Sequence, residues 1–458
     1  MALSHPERPP VRARRLLTPA QTIVLAFLAA IGVGALLLSL PAAHAPGASV
    51  SPLDALFTAT SAVCVTGLAV VDTGGAFSRL GQTVILLLIK AGGLGILSLG
   101  ALLALATGRR VDFRERLLLQ AQSGRLHVGG VVRFVRDLLL FTTAIELTGA
   151  ALLFARFRES YPAGEAAFQA LFHSVSAFNN AGFALHPDSL MRYATDPLVS
   201  LVIAGLLITG GLGVAVVFEL TRRLATPRPR GRVTLGLHTR VALGMTGLLI
   251  VIATAFILVA EWGNPGTLGP LTAPQKLLAG FFQAVTPRTA GFNSLGFSEM
   301  HRGTLIFVML LMFVGANPGS TGGGIKTTTA AVLLVALWAV ARGHNRPALF
   351  RRHIDAGLIT RAAVITTLAL LVIGLVVTTL SFTEPQLSEL QLVFETVSAF
   401  ATVGLSLGAT PELSPAGRLL IISVMFLGRV GLITFALAVA KRRQDVSIRY
   451  PSEELIVG

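Results

Sequence analysis

Charge is scarce in this chain. Asp, Glu, Lys and Arg make up 13% of its 458 residues, against 53% hydrophobic, whereas a soluble domain carries about 25% charged residues. That shortage excludes an ordinary water-soluble globule. Cysteine is nearly missing: Cys64 stands alone, so neither an internal disulfide nor a cysteine-based metal cluster can form. Enzyme signatures are thin as well. No His-Glu-x-x-His occurs, and Gly324-Ile325-Lys326-Thr327 lacks the Gly-Lys-Ser/Thr of a phosphate-binding loop, so no enzyme is expected. His173 and Cys64 read as packing residues, because neither has a second ligand at metal-binding spacing.

Long uncharged apolar runs take the place of charge. Thr22–Leu40, Pro197–Phe218, Val241–Ala260 and Ala362–Phe382 each meet the length of about 20 residues that crosses a bilayer. The first is full span length without a clear small-residue cleavage site, so it reads as a span and not a signal peptide. Net charge is +15, and its distribution argues against nucleic acid. Most basic residues fall in five places: the arm with Arg8, Arg12, Arg14 and Arg15, then Arg109–Arg136, Arg222–Arg240, Arg342–Arg361, and the tail Lys441–Arg449. Basic loops stay on the cytoplasmic side, which puts both termini and three connecting loops inside. Anionic lipid headgroups or a cytoplasmic partner can absorb that charge.

These inside loops cut the chain into four blocks, 1–110, 111–225, 226–345 and 346–458, each with an even number of spans. The expected pairs are 22–40 with 80–107, 138–155 with 197–219, 241–260 with 304–341, and 362–382 with 417–440. The fold expected is all-α, an integral membrane protein with eight transmembrane helices arranged as four M1–pore-loop–M2 pseudo-repeats around one central pore. Between the spans of each block lies a shorter amphipathic stretch: Ser51–Val63, Glu165–Ala177, Pro274–Val285 and Ser388–Ala399. A helix of that length reaches about 20 Å, short of the roughly 30 Å apolar core. Such helices are either re-entrant or lie flat on the outer surface.

The segment after each short stretch favours re-entry. The blocks align on one glycine apiece: Val65-Thr66-Gly67, Asn180-Ala181-Gly182, Thr289-Ala290-Gly291 and Thr402-Val403-Gly404, the glycines 115, 109 and 113 residues apart. A long, regular period indicates a duplicated unit. Irregular backbone at membrane depth survives where it lines a water-filled path, and a ring of main-chain carbonyls can replace a cation's hydration shell. Glycine reaches the backbone angles this demands without a steric penalty, and the C-terminal end of each preceding helix presents partial negative charge to the cation. The expected ring is those four glycines with the carbonyls of the two residues before each; simple helix-capping glycines are the bland alternative.

This pattern resembles the Trk/Ktr/HKT superfamily of cation transporters over nearly the whole chain. Asn180-Ala181-Gly182-Phe183 and Thr286-Pro287-Arg288-Thr289-Ala290-Gly291-Phe292 look like its second and third filter loops, and the short N-terminal arm looks like the bacterial Ktr-type membrane subunit. Some plant members with serine at the first-repeat glycine prefer sodium; Gly67 stands there, which implies potassium. The resemblance further implies uptake of K+ as the transported ion, Na+ as an activating ion, a homodimer with one pore per chain, and a separate KtrA-like cytoplasmic ring of nucleotide-binding regulatory subunits. The competing function is a secondary cation transporter with a midplane site in broken helices, usually built from fewer, inverted repeats.

Several polar features sit in apolar surroundings. The sixth span is interrupted by Gly315-Ala316-Asn317-Pro318-Gly319-Ser320-Thr321-Gly322-Gly323-Gly324-Ile325-Lys326, a Gly and Pro density no continuous helix sustains. By resemblance it is an intramembrane gating loop; a packing kink is the alternative. Arg429, deep in the last span, should face the pore or pair internally; resemblance places it near the gating loop, as an electrostatic barrier or as a clasp on loop carbonyls. Lys326 either shares that part or snorkels to the inner face. Lys90 departs from the superfamily, where an uncharged polar residue is usual, and is expected to face an acidic partner or the lower vestibule. Gly92, Gly93, Gly95, Gly210, Gly211 and Gly213 read as helix-packing glycines. Arg288 should turn away from the ion path and pair with Glu395.

Overall fold

The computed structural model describes residues 18–95, 131–225, 235–344 and 346–439. The basic arm, most of 109–136, part of 222–240, the tail from Lys441 and the 80–107 span beyond 95 lie outside the described residues. The described residues are mostly helical. Long helices run over Pro19–Leu38 (α1), Val131–Phe157 (α4), Leu237–Glu261 (α8) and Ala356–Thr383 (α12). Short helices cover Pro52–Cys64 (α2), Ala163–Phe178 (α5), Ala273–Val285 (α9) and Glu389–Ala401 (α13). A third set follows each short helix: Arg79–Leu94 (α3), Pro197–Leu212 with Val214–Ala225 (α6, α7), Arg302–Phe313 with Thr327–Ala341 (α10, α11), and Pro415–Val430 with Leu432–Val439 (α14, α15).

Local chemistry sets the short helices. Ser51 with Asp54, Thr272 with Gln275, and Ser388 with Gln391 form capping boxes, each side chain answering an orphan backbone N–H of the first turn. Pro52 and Pro274 occupy the first turn, where a missing N–H costs nothing.

Burial separates the helices into two classes. Among the described residues, α1, α8, α12 and residues 135–157 of α4 are long and apolar enough to cross a membrane, yet only 22–28% of each apolar window is buried. Leu36, Val251, Val259, Leu371, Leu375 and Phe382 are openly exposed, as helices facing lipid require. The short helices are enclosed instead: Phe57, Phe172, Phe282 and Phe394 are at most 1% exposed. Each short helix packs on the long helix before it and on α14, α3, α6 or α10 from the preceding part of the chain, so the contacts close a circle with α14 against α2.

Two expected spans are not straight. The 197–219 stretch bends by 102° between α6 and Val214–Thr221, because Gly213 takes φ +86° there and the Val214 N–H leaves the helix to donate to Gly319 O at 3.0 Å. The glycine expected only to pack thus makes the break. Gly95 (φ +80°) and Gly431 (φ +88°) end α3 and α14 in the same way. In 304–341 the interruption is a full loop between α10 and α11, as its composition demanded. A two-residue antiparallel ladder, Ala348–Leu349 (β1) with Arg352–His353 (β2), joins α11 to α12.

Candidate functional site

The chain passes through left-handed backbone twice after each short helix. Val65, Asn180, Thr289 and Thr402 have φ of 57°, 56°, 64° and 50°; two residues on, Gly67, Gly182, Gly291 and Gly404 have φ of 91°, 70°, 76° and 93°. Thr66, Ala181, Ala290 and Val403 between them are not left-handed. Alternating hands rotate successive peptide planes so that neighbouring carbonyls share one side of the strand.

The four glycines meet. A Cβ at Gly67 would lie 2.5 Å from Ala181 O, at Gly182 3.0 Å from Ala290 O, at Gly291 2.4 Å from Val403 O, and at Gly404 2.1 Å from Thr66 O. Each glycine therefore abuts the carbonyl that precedes the next, and the circuit returns to its start. Among the described residues no donor reaches the carbonyl oxygens of Val65, Thr66, Asn180, Ala181, Thr289, Ala290, Thr402 or Val403. A buried carbonyl without a partner is rare; eight around one ring form a cradle of oxygens with no fixed charge, beside the C-terminal ends of four helices.

Side chains behind the ring hold it. Gly67 N donates to Ser61 Oγ at 3.0 Å and Gly404 N to Ser398 Oγ at 3.1 Å. Ser176 Oγ donates to Phe183 O at 2.8 Å, and Thr286 Oγ1 to Phe292 O. Helix packing presses on it from outside: a Cβ at Gly92 would lie 2.0 Å from Val63 O, at Gly210 1.9 Å from Phe178 O, and at Gly428 1.9 Å from Phe400 O. Gly92 and Gly210 pack as expected, and Gly428 joins them, against carbonyls in the last turn of the short helices.

The loop from Gly315 to Lys326 lies against this ring. A Cβ at Gly322 would lie 2.0 Å from Thr289 Oγ1, and one at Gly323 2.3 Å from Thr402 Oγ1; Gly323 N donates to Thr402 Oγ1 at 2.9 Å. Gly315 N donates to Ile325 O at 2.9 Å, which pins the ends of the loop together. Asn317 is wholly buried: its Nδ2 donates to Gly211 O and Thr246 Oγ1, both at 3.1 Å, and its Oδ1 accepts from Thr327 Oγ1. Ser320 Oγ donates to Asn317 O at 2.6 Å, following Pro318 and Gly319 (φ +70°). Gly324 (φ +66°) turns the chain past Ala401. Asn180 Nδ2, oriented to suit its neighbours, donates to Thr321 Oγ1 at 3.0 Å.

The cations find internal partners. Arg429 donates through Nη1 to Thr321 O and through Nη2 to Gly92 O. Lys326 does not snorkel: its Nζ donates to Gly322 O at 2.6 Å and Gly323 O at 3.2 Å. Lys90 meets an acidic partner, Glu146. Arg288 corrects the expectation of an ion pair with Glu395. Its Nη2 donates to Thr246 Oγ1 at 3.1 Å on α8, while Glu395 accepts from Ser406 Oγ at 2.7 Å and from Thr410 Oγ1. The guanidinium turns towards Thr246 on α8 instead.

Sequence reasoning missed several contributors. The left-handed Val65 carries no sequence signal, since a β-branched residue is an outlier there. Ser61, Ser176 and Ser398 did leave one, recurring six residues before their glycines. Thr246 sits unmarked in a long apolar helix. The run Gly404-Leu405-Ser406-Leu407-Gly408 has the spacing of a hydrolase nucleophile turn, yet among the described residues the partners of Ser406 are Glu395, Gly408 and Thr410, with no histidine. Among the described residues no group of three or more His, Cys, Asp or Glu could hold a metal ion.

Known proteins share this sequence and fold. The family described as TrkH, Cation transport protein, matches residues 3–450. The Ktr system potassium uptake protein B of Bacillus subtilis (strain 168) is 46% identical over 96% of this chain and 97% of its own length. The protein of the same name from Vibrio alginolyticus is 39% identical over 95% and 94%, and the potassium/sodium uptake protein NtpJ of Enterococcus hirae 37% over 98% and 99%. In three dimensions the chain resembles the potassium transporter TrkH from Vibrio parahaemolyticus, with a TM-score of 0.71 over 95% of this chain and 87% of that one, at 18% identity; that likeness carries the fold alone. With a family match along nearly its whole length and full-length relatives at 46% and 39% identity, the chain belongs to the TrkH family of cation transport proteins.

Proposed function

We propose that this chain is the membrane-embedded pore subunit of a potassium uptake system of the Ktr type. The observation that carries the reading is the closed circuit in which Gly67, Gly182, Gly291 and Gly404 each abut the carbonyl before the next. K+ crosses the circuit by exchanging water for the unpaired main-chain oxygens of Val65, Thr66, Asn180, Ala181, Thr289, Ala290, Thr402 and Val403. The absence of fixed charge on those oxygens lets the ion leave as well as enter. Four M1–pore-loop–M2 units, 1–110, 111–225, 226–345 and 346–458, supply one segment each through eight spans, with both termini cytoplasmic.

Gly315–Lys326 is the gate of this pore. It stands against the inner side of the ring, and its only fixed charges, Lys326 within it and Arg429 clasping it, repel a cation while the loop is in place. Uptake is opened by the cytoplasmic side: a KtrA-like ring of nucleotide-binding subunits docks on the basic inner loops of a homodimer, next to anionic lipid headgroups, with Na+ as an activating ion. The names of the relatives support potassium as cargo and a multi-subunit system.

The test is rubidium uptake into a transport-deficient bacterium. Gly404→Ser should cost potassium selectivity or uptake, and deletion of Gly319–Gly323 should produce leak. Wild-type transport in both variants removes filter and gate together.

A further inference from the structure

One buried charge pair lies beside the ring and takes no part in the gate. Lys90, in the last full turns of α3, forms an ion pair with Glu146 on α4 and approaches Thr142 Oγ1, one turn away on that helix, at 3.4 Å. The side chain of Glu146 is 4% exposed and that of Lys90 21%. Glu146 does not end in this pair. Its other carboxylate oxygen accepts from Asn179 Nδ2 at 2.9 Å, and its main-chain oxygen accepts from Ser174 Oγ at 2.6 Å. Asn179 is the residue that caps α5, immediately before left-handed Asn180 and the second glycine of the ring.

The same helix that supplies the lysine also makes the space. A Cβ at Gly93, three residues after Lys90, would lie 2.0 Å from Asn179 Oδ1, and that oxygen is buried without a donor. So α3 offers Asn179 a bare backbone on one side, while α4 offers it a carboxylate on the other. A carboxylate buried at membrane depth stays ionised only with a counter-charge. Asn179 spends its amide hydrogens on Glu146 and on Val175 O at 2.8 Å, so its orientation depends on where that acceptor oxygen is held.

We infer that Lys90 is a tethered counter-cation that holds the Glu146 side chain in place so that Glu146, through Asn179, positions the second segment of the ring. Lys90 and Glu146 are positioning residues; neither meets the ion. The inference rests on the ring being the selectivity filter, and it assigns this support to the second loop. A lone charge is the damaging state, so either single neutralisation should disturb the ring more than removal of both charges. Glutamine at 146 still accepts from Asn179 Nδ2, so the neutral pair restores the link.

The experiment uses the full chain in liposomes of neutral and anionic lipid, and measures rubidium uptake with K+ or Na+ as competitor. Lys90→Met and Glu146→Gln should each let Na+ compete at about tenfold lower concentration than in wild type, and the double variant should return to within about threefold. Unchanged discrimination in both single variants, or a double variant no better than either, overturns the inference. If a single variant fails to insert, Asn179→Ala decides: it leaves the ion pair intact and should by itself weaken discrimination about tenfold, and wild-type discrimination there overturns it. Gly404→Ser runs alongside as a control. Should it leave selectivity unchanged, the filter reading has failed; should it alone shift selectivity, only the role of Lys90 has.

Discussion

Arg429 donates to the main-chain oxygen of Thr321, 108 residues earlier in the chain, and so ties the last long helix to the loop that underlies the ring. Its second amino group holds Gly92 O at the end of α3. One planar guanidinium thereby bridges the loop and a helix from the far end of the sequence, with two donors in fixed geometry that a lysine cannot reproduce.

That clasp makes a prediction about leak. A hydrogen bond from a charged donor contributes about 1.5–3 kcal/mol, enough to shift a closed-to-open ratio roughly ten- to a hundredfold. Arg429→Gln should raise resting potassium efflux from preloaded liposomes by at least about tenfold, and Arg429→Lys should lie between. Efflux at the wild-type level in both would separate Arg429 from the gate.

Helix α6 provides a matched pair of glycines. A Cβ at Gly210 would sit 1.9 Å from Phe178 O, whereas one at Gly205 meets nothing within 4 Å. Main chain cannot step aside as a side-chain tip can, so Gly210→Ala should cost about 1–3 kcal/mol and push the second loop out of register. Gly205→Ala should leave stability equal or slightly higher, since alanine is the better helix former. Thermal melting and rubidium uptake of the two variants check this; equal behaviour would mean that the packing of α6 on α5 does not shape the ring.

The contrast between those glycines marks what sequence could and could not reveal. Regular spacing exposed Gly67, Gly182, Gly291 and Gly404, because a repeated backbone requirement leaves a repeated residue. Ser51-Pro52 and Pro274 mark the starts of two short helices in the sequence, since a helix's first turn favours those residues. Gly213 was indistinguishable from its packing neighbours Gly210 and Gly211, since composition does not tell a close approach from a positive φ. Lys90 and Glu146 were each visible as charges in apolar runs, but their pairing depends on how two helices turn towards each other. Arg288 failed similarly: Ser406 and Thr410, close in sequence to Glu395, had already claimed its oxygens.

Arg288 itself is testable. It is 6% exposed, its Nε has no partner, and its Nη2 relies on Thr246 Oγ1. Thr246→Val keeps the shape but strips a buried cation of its acceptor, which should destabilise by about 2–3 kcal/mol. Asn317 Nδ2 also loses that acceptor but keeps Gly211 O, and replacing both members of the Arg288–Thr246 pair by apolar groups is far milder, so Arg288→Met with Thr246→Val should recover most of the loss. A double variant no more stable than Thr246→Val alone would show that Arg288 contributes through contacts other than this bond.

His186 gives the loop between the second glycine and α6 an acid limit. Its ring stacks on His173 with centroids 5.2 Å apart and on Tyr161 at 6.1 Å, and its Nε2 is buried with no partner. Burial, reinforced by the nearby Arg192, lowers its pKa to about 4, well under the ordinary histidine value of about 6.5. The folded chain therefore prefers neutral His186, while the unfolded chain takes up the proton first. Stability is complete above about pH 6.5 and is lost as pH falls towards 4, by roughly 2 kcal/mol at pH 5. His186→Phe keeps the stacking and removes this titration, so its melting temperature should fall less between pH 6.5 and 4.5 than that of the wild type. Parallel curves for the two proteins over that interval would assign the acid limb to another group.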